Sequence, residues 1–333
     1  MRVGHSWTDG VQLEVAPQTL KQAMTTAGVL PGAAKTEIIC HSRTVFTLLA
    51  PFQGKMKDDV RPPAMTADEA STAMGLQSCT SKNGAWKITT RKQPILKAEP
   101  IEEMSQQLGI PIPEMIFGDN YVSITHLPSN WAISFNAHDA LDRVSKTEEG
   151  MLQVAVAEEW KKERSHQEEV KQVVKPFDWS YSTDYKGTTH DEGNREWKQS
   201  NQAKHPIRTD LLSRPDPILF FDAVDLYEDE LADNGIALLS IKVRVMPERT
   251  LLLSRFFLRL DGVIIRIRDT RVYVEHASNT IIRQYTAKEG KYDTVQEKLR
   301  DMRENAPEAF RDANKLAPLL DNVEDRTDVF EVP

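Results

Sequence analysis

The chain has 333 residues, of which 40% are hydrophobic and 28% are charged, and its formal net charge is −8 at pH 7. This length can bury a sizeable core and predicts one large domain or two small ones. The acidic balance argues against nucleic acid as the main ligand, because phosphate backbones bind net basic surfaces. No apolar run approaches the roughly 18 residues of a membrane-spanning helix, so we expect no membrane partner.

The cysteine content and the first residues bear on the cellular compartment. Two cysteines, Cys40 and Cys79, are too few for a disulfide framework, and reduced thiols are the simpler interpretation. The opening MRVGHSWTDG lacks the apolar core of a secretory signal. We therefore expect a protein of the cytoplasm, or of the cytoplasm and the nucleus.

Residues 1–83 differ in composition from the rest of the chain. They are rich in Ala, Thr, Pro, Lys and Asp, and they contain one convincing apolar run, TVFTLLAPF (44–52). This composition predicts a partly disordered N-terminal extension, with a helix at 18–27.

The elements expected from residue 84 onward begin with the strand GAWKITTR (84–91), whose residues alternate in polarity. A helix is predicted at PIEEMSQQLG (100–109), with Pro near its start and Gly at its end. YVSITHLPSNWAISF (121–135) predicts a hairpin around Pro-Ser-Asn. The spacing in GMLQVAVAEEWKKER (150–164) indicates another helix.

The second half of the chain reads mostly as strands. FFDAVDLYEDELADNG (220–235) predicts a strand or loop followed by an acidic helical turn that ends at Gly235. SIKVRVMPERTLLLSRFFLRL predicts two strands around a Met-Pro turn. After residue 290 the spacing becomes helical, and the chain ends in a polar, acidic tail. Antiparallel hairpins with a few helices predict an α+β fold and argue against a doubly wound parallel sheet.

The segment RFFLRLDGVIIRIRDTR (255–271) carries the strongest hairpin signal. Asp261-Gly262 is typical of a two-residue type I′ turn between strands. In the register that follows from this turn, three apolar pairs share one face: Leu260–Val263, Leu258–Ile265 and Phe256–Ile267.

The predicted apolar face continues beyond these pairs to Asp269 and Arg271. We expect both side chains at the mouth of a groove, where an arginine suits the capture of a carboxylate, including the C-terminal carboxylate of a peptide. The opposite face would set Arg255 directly across from Arg268, which requires acidic neighbours. For the other arginines we expect intramolecular partners: Arg255, Arg259 and Arg266 would pair with EDEL (228–231) or Asp225.

Catalytic and metal-binding motifs are not evident in the sequence. We find no Gly-rich phosphate loop, no nucleophile elbow and no metal-ligand spacing, and we expect no cofactor. His138-Asp139 is a conceivable acid–base pair, but Asp139 stands where the N-cap of a helix is expected. The EDEL carboxylates are more simply a solvated acidic face or the mates of the arginines.

Several separate motifs, taken together in order, resemble the TIPRL family of TOR-signalling-pathway regulators. The resemblance spans about residues 84 to 288 and is carried by GAWKITT, IPEMIFGDN, FNAHDAL, GMLQVAVAEEW, VVKPFDWSYSTDYKGT, LYEDELADNG, SIKVRVMP, RFFLRLDGVIIRIRDTR and RQYTA. It implies a family domain at 84–290, with the N-terminal extension at 1–83 before it and the helical, acidic tail at 291–333 after it.

What this resemblance implies about function is a non-enzymatic regulator. Members of the family bind the catalytic subunits of type 2A, type 4 and type 6 protein phosphatases and act in TOR signalling. The implied fold has layered antiparallel sheets with helices at the edges, in a single domain. A groove between sheet and helices would take up the C-terminal tail of the phosphatase.

The resemblance also implies five partner-binding residues: Asp139, Ile207, Ile267, Asp269 and Arg271. The two aspartates would orient the phosphatase surface, the two isoleucines would supply apolar anchors, and the arginine would hold a tail carboxylate or a backbone carbonyl. Position 267 is Ile where the family pattern leads us to expect Met.

Two alternatives remain open from the sequence. The protein could be an indirect scaffold for the TOR-pathway phosphatase-associated protein, without direct phosphatase contact. It could instead be an unrecognised hydrolase that uses His138, Asp139 and the EDEL carboxylates, which requires these groups to meet in one cleft.

Overall fold

A computed structural model of the protein describes residues 75–146 and 178–333. In chain order the strands of these ranges are β1 (Leu76–Thr80), β2 (Trp86–Arg91), β3 (Met115–Ile116), β4 (Tyr121–His126), β5 (Trp131–Asn136), β6 (Thr188–His190), β7 (Lys198–Ser200), β8 (Phe220–Asp229), β9 (Gly235–Val245), β10 (Arg249–Leu260), β11 (Ile264–Glu275), β12 (Thr280–Lys291) and β13 (Asp321–Glu331). The helices are α1 (Ala98–Leu108), α2 (Ala137–Asp142), α3 (Thr209–Leu212), α4 (Tyr292–Asp301), α5 (Ala306–Ala309) and α6 (Ala313–Leu316), with single 3₁₀ turns at Leu127–Ser129 and Ala317–Leu319.

The strands form two antiparallel sheets, which confirms the predicted fold class. The small sheet has the order β1-β2-β4-β5-β6, and the large sheet has the order β3-β8-β9-β10-β11-β12-β13-β7. Consecutive long strands pair as neighbours from β8 to β13, as expected for a chain of hairpins. The few helices lie at the ends of strands and in the connections.

The small sheet follows the alternation read from the sequence. In β2 every second residue is buried, beginning with Trp86, and the predicted β4–β5 hairpin is present with His126 opposite Trp131. Asn130 closes the turn in the left-handed region, which Asn tolerates better than most residues. The buried face of this sheet packs on the large sheet: Trp131 and Phe256 belong to the same core cluster.

The large sheet buries apolar side chains on both faces. Its inner face, which meets the small sheet, carries Phe256 and Leu258. On its outer face, Phe257, Ile265 and Ile267 form a second cluster with side chains from the α4–α6 region: Val295, Leu299, Ala309, Phe310, Leu316 and Leu320. Helices α4 to α6 therefore cover one part of the outer face.

The predicted register of the β10–β11 hairpin is wrong by one residue. Leu260 pairs with Ile264 and not with Val263, so the loop has three residues, and Val263 donates its N–H to the Leu260 carbonyl at 3.0 Å. Of the two residues in the predicted type I′ turn, only Gly262 has a positive φ, of 72°, whereas type I′ requires both. A slip of one residue moves every side chain of one strand to the other face relative to its partner.

The corrected register changes which residues oppose each other. Arg255 lies directly across from Asp269, whereas Arg268 lies across from Phe256. The predicted confrontation of Arg255 with Arg268 therefore does not occur. The face that carries Ile267, Asp269 and Arg271 is the outer face.

Three segments differ from the sequence-based expectation. The acidic helical turn before Gly235 is instead a left-handed turn, in which Leu231, Ala232 and Asp233 have φ values of 52°, 52° and 66°. The acidic end of the chain forms β13, which pairs with β12 along most of its length. Order also starts before residue 84, because β1 pairs with β2.

Some predictions fall on parts of the chain outside the described residues. These are the helices at 18–27 and 150–164 and the apolar run at 44–52. Within the described ranges, no helix combines the length and apolar character that a membrane crossing requires. The same ranges contain no group of three His, Cys, Asp or Glu side chains placed to hold a metal ion.

Candidate partner-binding surface

Between the part of the outer face under α4–α6 and the loop that holds α3, the large sheet presents a strip of mostly polar side chains. Strand pairing sets Lys242, Leu253, Arg271 and Gln284 in one row across the sheet. The adjacent row contains Ser240, Arg255, Asp269 and Thr286. We call these eight residues the open floor, because the apolar cluster under the helices includes none of them.

Asp269 is the centre of the open floor. Arg255 donates to it twice, from Nε to Oδ1 at 2.7 Å and from Nη2 to Oδ2 at 2.8 Å. Arg271 donates from Nη2 to Oδ2 at 2.7 Å. Only 3% of Asp269 is exposed, so both of its oxygens are committed to guanidinium groups and are shielded from solvent. Asp269 therefore holds the two arginines in place and does not itself present a free carboxylate.

Arg255 connects the open floor to the helices. Its Nη1 donates to Oδ1 of Asn314 in α6 at 2.7 Å. Burial alone would lower the pKa of Arg255, but the hydrogen bonds and the charge of Asp269 raise it above its ordinary value. Arg255 is thus a charged residue that links strand β11 to helix α6 through its hydrogen bonds to Asp269 and Asn314.

Arg271 is the arginine that remains available to a partner. Its side chain is 31% exposed. Besides Asp269, Arg271 has one other hydrogen-bond partner among the described residues, Thr286, which accepts a long hydrogen bond from Nη1 at 3.4 Å. A guanidinium has five N–H donors in a rigid fork, so most of the donors of Arg271 are free for an oxyanion or a carbonyl.

The two predicted apolar anchors have different surroundings. Ile267 is 2% exposed and belongs to the cluster under α4–α6, next to the open floor. Ile207 is half-buried in the loop before α3. This loop reaches the opposite border of the open floor, where Arg244 and Arg249 of the large sheet donate to the carbonyls of Leu212 and Leu211.

Asp139 lies on the other sheet. It is the third residue of α2 and not its N-cap, which is Asn136; the Asn136 side chain accepts the Asp139 N–H at 2.8 Å and donates to its carboxylate at 2.9 Å. Thr188 also donates to this carboxylate. Burial opposes ionisation of Asp139, but the hydrogen bonds from Thr188 and Asn136 prevail, so its pKa is lowered.

The surroundings of Asp139 form a cavity of about 540 Å³ on the outer face of the small sheet, next to Tyr121, Ser123 and Ser134. Within the described part of the chain, no hydrogen bond or ion pair links Asp139 to the other four predicted residues. The structure therefore brings Asp269 and Arg271 together and sets Ile267 at one border of the open floor. Ile207 belongs to the loop whose helix α3 contacts the other border, and Asp139 lies on the opposite side of the sandwich.

The arginines of the hairpin pair within the chain, as expected, but with other partners. Arg255 pairs with Asp269, Arg259 pairs with Asp261 and Arg266 pairs with Glu289. The expected pairing with EDEL or Asp225 was wrong. For Arg255 the reason is that the predicted register was off by one residue, whereas in the structure Asp269 lies directly across from Arg255 on the same face. The role of Arg255 in the open floor was missed for this reason.

The groups of the hydrolase alternative do not share one cleft. His138 and Asp139 line the cavity on the small sheet, whereas Glu228 and Glu230 line a different cavity on the large sheet. His138 is 3.6 Å from the Asp139 carboxylate and half-exposed. The convergence that this alternative requires is therefore missing among the described residues.

An antiparallel sandwich with an uncovered, charged sheet face has the features of a protein-interaction domain. Sequence comparison identifies the family of the chain. The model of the TIP41-like family matches residues 115–296, and the chain belongs to this family. The resemblance stated from the sequence motifs is thereby confirmed.

Relatives from several organisms share this similarity. A TIP41-like protein of Homo sapiens is 43% identical over 238 residues, which are 71% of this chain and 84% of the relative. The type 2A phosphatase activator TIP41 of Saccharomyces cerevisiae is 39% identical over 249 residues, or 70% of this chain and 69% of the relative. A second fungal relative, the type 2A phosphatase activator tip41 of Schizosaccharomyces pombe, is 34% identical over 210 residues, or 63% and 81%.

Proposed function

We propose that the chain is a non-enzymatic regulator of type 2A-like protein phosphatases and acts in TOR signalling by binding their catalytic subunits directly. The names of the two fungal relatives, which describe them as activators of type 2A phosphatase, support the choice of partner. The proposal extends to the catalytic subunits of type 4 and type 6 phosphatases and assigns the protein to the cytoplasm, or to the cytoplasm and the nucleus.

The observation that carries the proposal is the partly exposed Arg271 guanidinium beside a buried carboxylate. Asp269 fixes one edge of the guanidinium, Thr286 accepts a long hydrogen bond from Nη1, and the side chain stays 31% exposed. The C-terminal tail of the phosphatase would lie across the open floor and present a carboxylate or a backbone carbonyl to Arg271. Preorganisation by Asp269 reduces the side-chain entropy that binding would otherwise cost.

The other predicted residues receive distinct roles in this proposal. Ile267 packs under helices α4–α6 and holds them at one border of the open floor. Ile207 contacts the tail from the other border. Asp139 would orient a separate part of the phosphatase, because it belongs to the small sheet. Asp269 acts as a positioning residue for Arg271 and not as a direct contact.

The alternative is an indirect scaffold that holds the TOR-pathway phosphatase-associated protein and never touches the phosphatase. Mixing the purified chain with an isolated catalytic subunit separates the two, because a scaffold needs the third component before a complex forms.

Calorimetry with the isolated type 2A catalytic subunit tests the proposal. We expect one-to-one binding that weakens by about tenfold or more when the C-terminal tail is removed, since tenfold corresponds to about 1.4 kcal/mol. Arg271→Gln should weaken binding to the intact subunit and leave binding to the tail-less subunit unchanged. Arg271→Glu should weaken binding to the intact subunit further.

The matched control is Arg300→Gln, which removes an exposed guanidinium from α4. It should bind like the wild type. Tight binding that ignores both the tail and Arg271 would move the interface away from the open floor. The absence of binding to any isolated catalytic subunit would contradict direct regulation.

A further inference from the structure

A second cavity lies on the outer face of the large sheet, at the end close to the β10–β11 hairpin. Its volume is about 440 Å³. Four apolar residues contribute to its lining: Ile236, Leu238, Phe257 and Phe310. Ile236 and Leu238 are only partly buried, so apolar surface faces the cavity and remains accessible.

The rim of this cavity is acidic. Glu228, Glu230 and Asp233 line it, and within residues 75–146 and 178–333 none of the three makes an ion pair. A fourth carboxylate, that of Asp261, is neutralised by Arg259, whose Nε lies 2.7 Å from it. An exposed arginine, Arg311, also lines the cavity, so the rim carries three unpaired carboxylates against one further cation and is negative in balance. A negative rim beside exposed apolar surface makes the cavity complementary to a cationic, apolar ligand.

The surroundings of the rim disfavour the ionised form of one of its carboxyls, Glu228. Partial burial raises the pKa of Glu228 above its ordinary value, and the negative charges of Asp225 and Glu230 raise it further. A cation bound at the rim would oppose both effects, since it favours the ionised form of a neighbouring carboxyl.

The acidic loop that forms the rim is held in one conformation. The Asp229 carboxylate accepts the N–H of Leu231 at 2.7 Å. The side-chain amide of Asn234 donates to the carbonyls of Leu231 and Ala232, at 3.2 and 3.0 Å. A Cβ at Gly235 would lie 1.9 Å from the Arg259 carbonyl oxygen, so only glycine allows the loop to join β9 this close to β10.

We propose that this acidic cavity docks an extended segment of a protein partner in which a bulky apolar residue is flanked by lysine or arginine. The apolar side chain enters the cavity over Ile236 and Leu238, and the flanking cations meet the rim carboxylates. In an extended segment the flanking cations point away from the floor, and their long, flexible side chains bend back to the charged border while the apolar side chain fills the floor. This ligand is opposite in charge to the oxyanion that suits Arg271, so the two surfaces recognise different parts of a partner or different partners.

A short peptide with the triplet Arg-Leu-Arg, acetylated at its start and amidated at its end, tests the proposal. Amidation removes the carboxylate that Arg271 would bind. Titration followed by amide chemical shifts detects weak affinity and locates the site. We expect the largest shifts at Ile236 and Leu238, and weaker binding of matched Glu-Leu-Glu and Arg-Gly-Arg peptides.

The triple variant E228Q/E230Q/D233N should reduce the affinity for Arg-Leu-Arg by about tenfold at low salt, since the attraction is charge-dependent. The control E99Q/E102Q/E103Q removes the same charge from exposed positions of α1 and should change the affinity by less than about twofold. Equal losses in the two variants would reduce the effect to the net charge of the chain and overturn the proposal.

Two further variants separate this site from others. Leu238→Ala should weaken Arg-Leu-Arg by about threefold and leave Arg-Gly-Arg unchanged, because only the first peptide buries an apolar side chain there. Arg271→Gln should leave both affinities unchanged, whatever its effect on phosphatase binding. Chemical-shift changes centred away from Ile236 and Leu238 would contradict the site directly.

Discussion

The outer face of the large sheet has two parts that use the same strands but differ in chemistry. In the covered part, Phe257, Ile265 and Ile267 pack under α4–α6. In the open part, Arg255 and Asp269 form a bidentate pair that Arg271 extends toward solvent. Along β11 the change from apolar to charged takes place between two consecutive residues of this face, Ile267 and Asp269.

This difference shows that the sequence of a strand indicates which part of its face is covered by other elements. Residues two apart point to the same face, so a switch from isoleucine to aspartate on one face marks the edge of a packed layer. The hydrogen bond from Arg255 to Asn314 spans this edge. A partner that docks on the open part therefore meets a surface whose position is set by the packing of the covered part.

The largest loss in the free energy of unfolding should come from a substitution in the covered part. Ile267→Ala removes buried methyl groups next to Val295 and Leu299, and we expect it to lower the free energy of unfolding by about 2–4 kcal/mol. Urea unfolding measures this as a lower midpoint at an unchanged slope. Ile207→Ala, at a half-buried loop position, should lose less than about 1 kcal/mol. Equal midpoints for the two variants would mean that α4–α6 do not pack on Ile267.

The next largest change in the free energy of unfolding should come from Asp269, the first charged residue beyond the covered part. Asp269→Asn leaves Arg255 and Arg271 without their shared anion, and we expect a loss of about 2–3 kcal/mol in the free energy of unfolding. The loss is smaller than for a fully buried charge, because solvent reaches Arg271 and weakens the penalty. Asp325→Asn, at an exposed position of β13, is the control and should stay within about 0.5 kcal/mol. If Asp269→Asn matched this control, the open floor would not be preorganised.

Sequence patterns predicted the local elements well. The alternation in β2, the β4–β5 hairpin and the helix that ends at Gly109 are each determined by neighbouring residues, and the structure contains all three. The proximity of Asp269 and Arg271 follows from strand periodicity alone, because residues two apart share a face. Their choice as partner-binding residues came from the family resemblance and stays a prediction.

The features that sequence patterns missed depend on a single loop residue or on distant contacts. Val263 has the polarity of a strand residue, yet it belongs to the loop, and this one residue reversed the assignment of faces. The acidic β13 is stabilised by partners far away in sequence, such as Arg283, which pairs with Asp328 at 2.9 Å. That Asp139 lies on the other sheet follows from the packing of two sheets, which no local pattern encodes.

A smaller effect should distinguish the two arginines that share Asp269. Arg271→Gln should change the free energy of unfolding by less than about 1 kcal/mol, because Arg271 is partly exposed and Arg255 still neutralises Asp269. Arg255→Gln should lose about 1–2 kcal/mol, because it removes a bidentate, mostly buried pair and the link to Asn314. Thermal unfolding of the two variants under the same conditions gives the comparison. The reverse order of stability would assign Arg271, and not Arg255, to the structural role.

The smallest effect on stability should be a pH-dependent one. It should come from the end of the sheet beyond the open floor, where His276 is buried. Its Nε2 lies 2.9 Å from the Thr250 hydroxyl, and its Nδ1 lies 3.3 Å from the Pro247 carbonyl, which suits a neutral ring protonated at Nδ1. Burial lowers its pKa below the ordinary value of 6.5, and nearby Arg249 lowers it further, against the opposing effect of the Pro247 carbonyl.

In the window between 6.5 and this lowered pKa the unfolded chain binds more protons than the folded chain, so stability is greatest above pH 6.5 and falls as the pH decreases through the window. Denaturant midpoints measured across this window should decrease for the wild type and decrease less for His276→Gln. His126, whose pKa is also lowered by burial, accounts for part of the remaining slope. His190→Gln, at an exposed ring, should retain the full wild-type slope. A wild-type slope in His276→Gln would show that protonation of this ring is not coupled to folding, and the far end of the sheet would then tolerate a charge as readily as the open floor does.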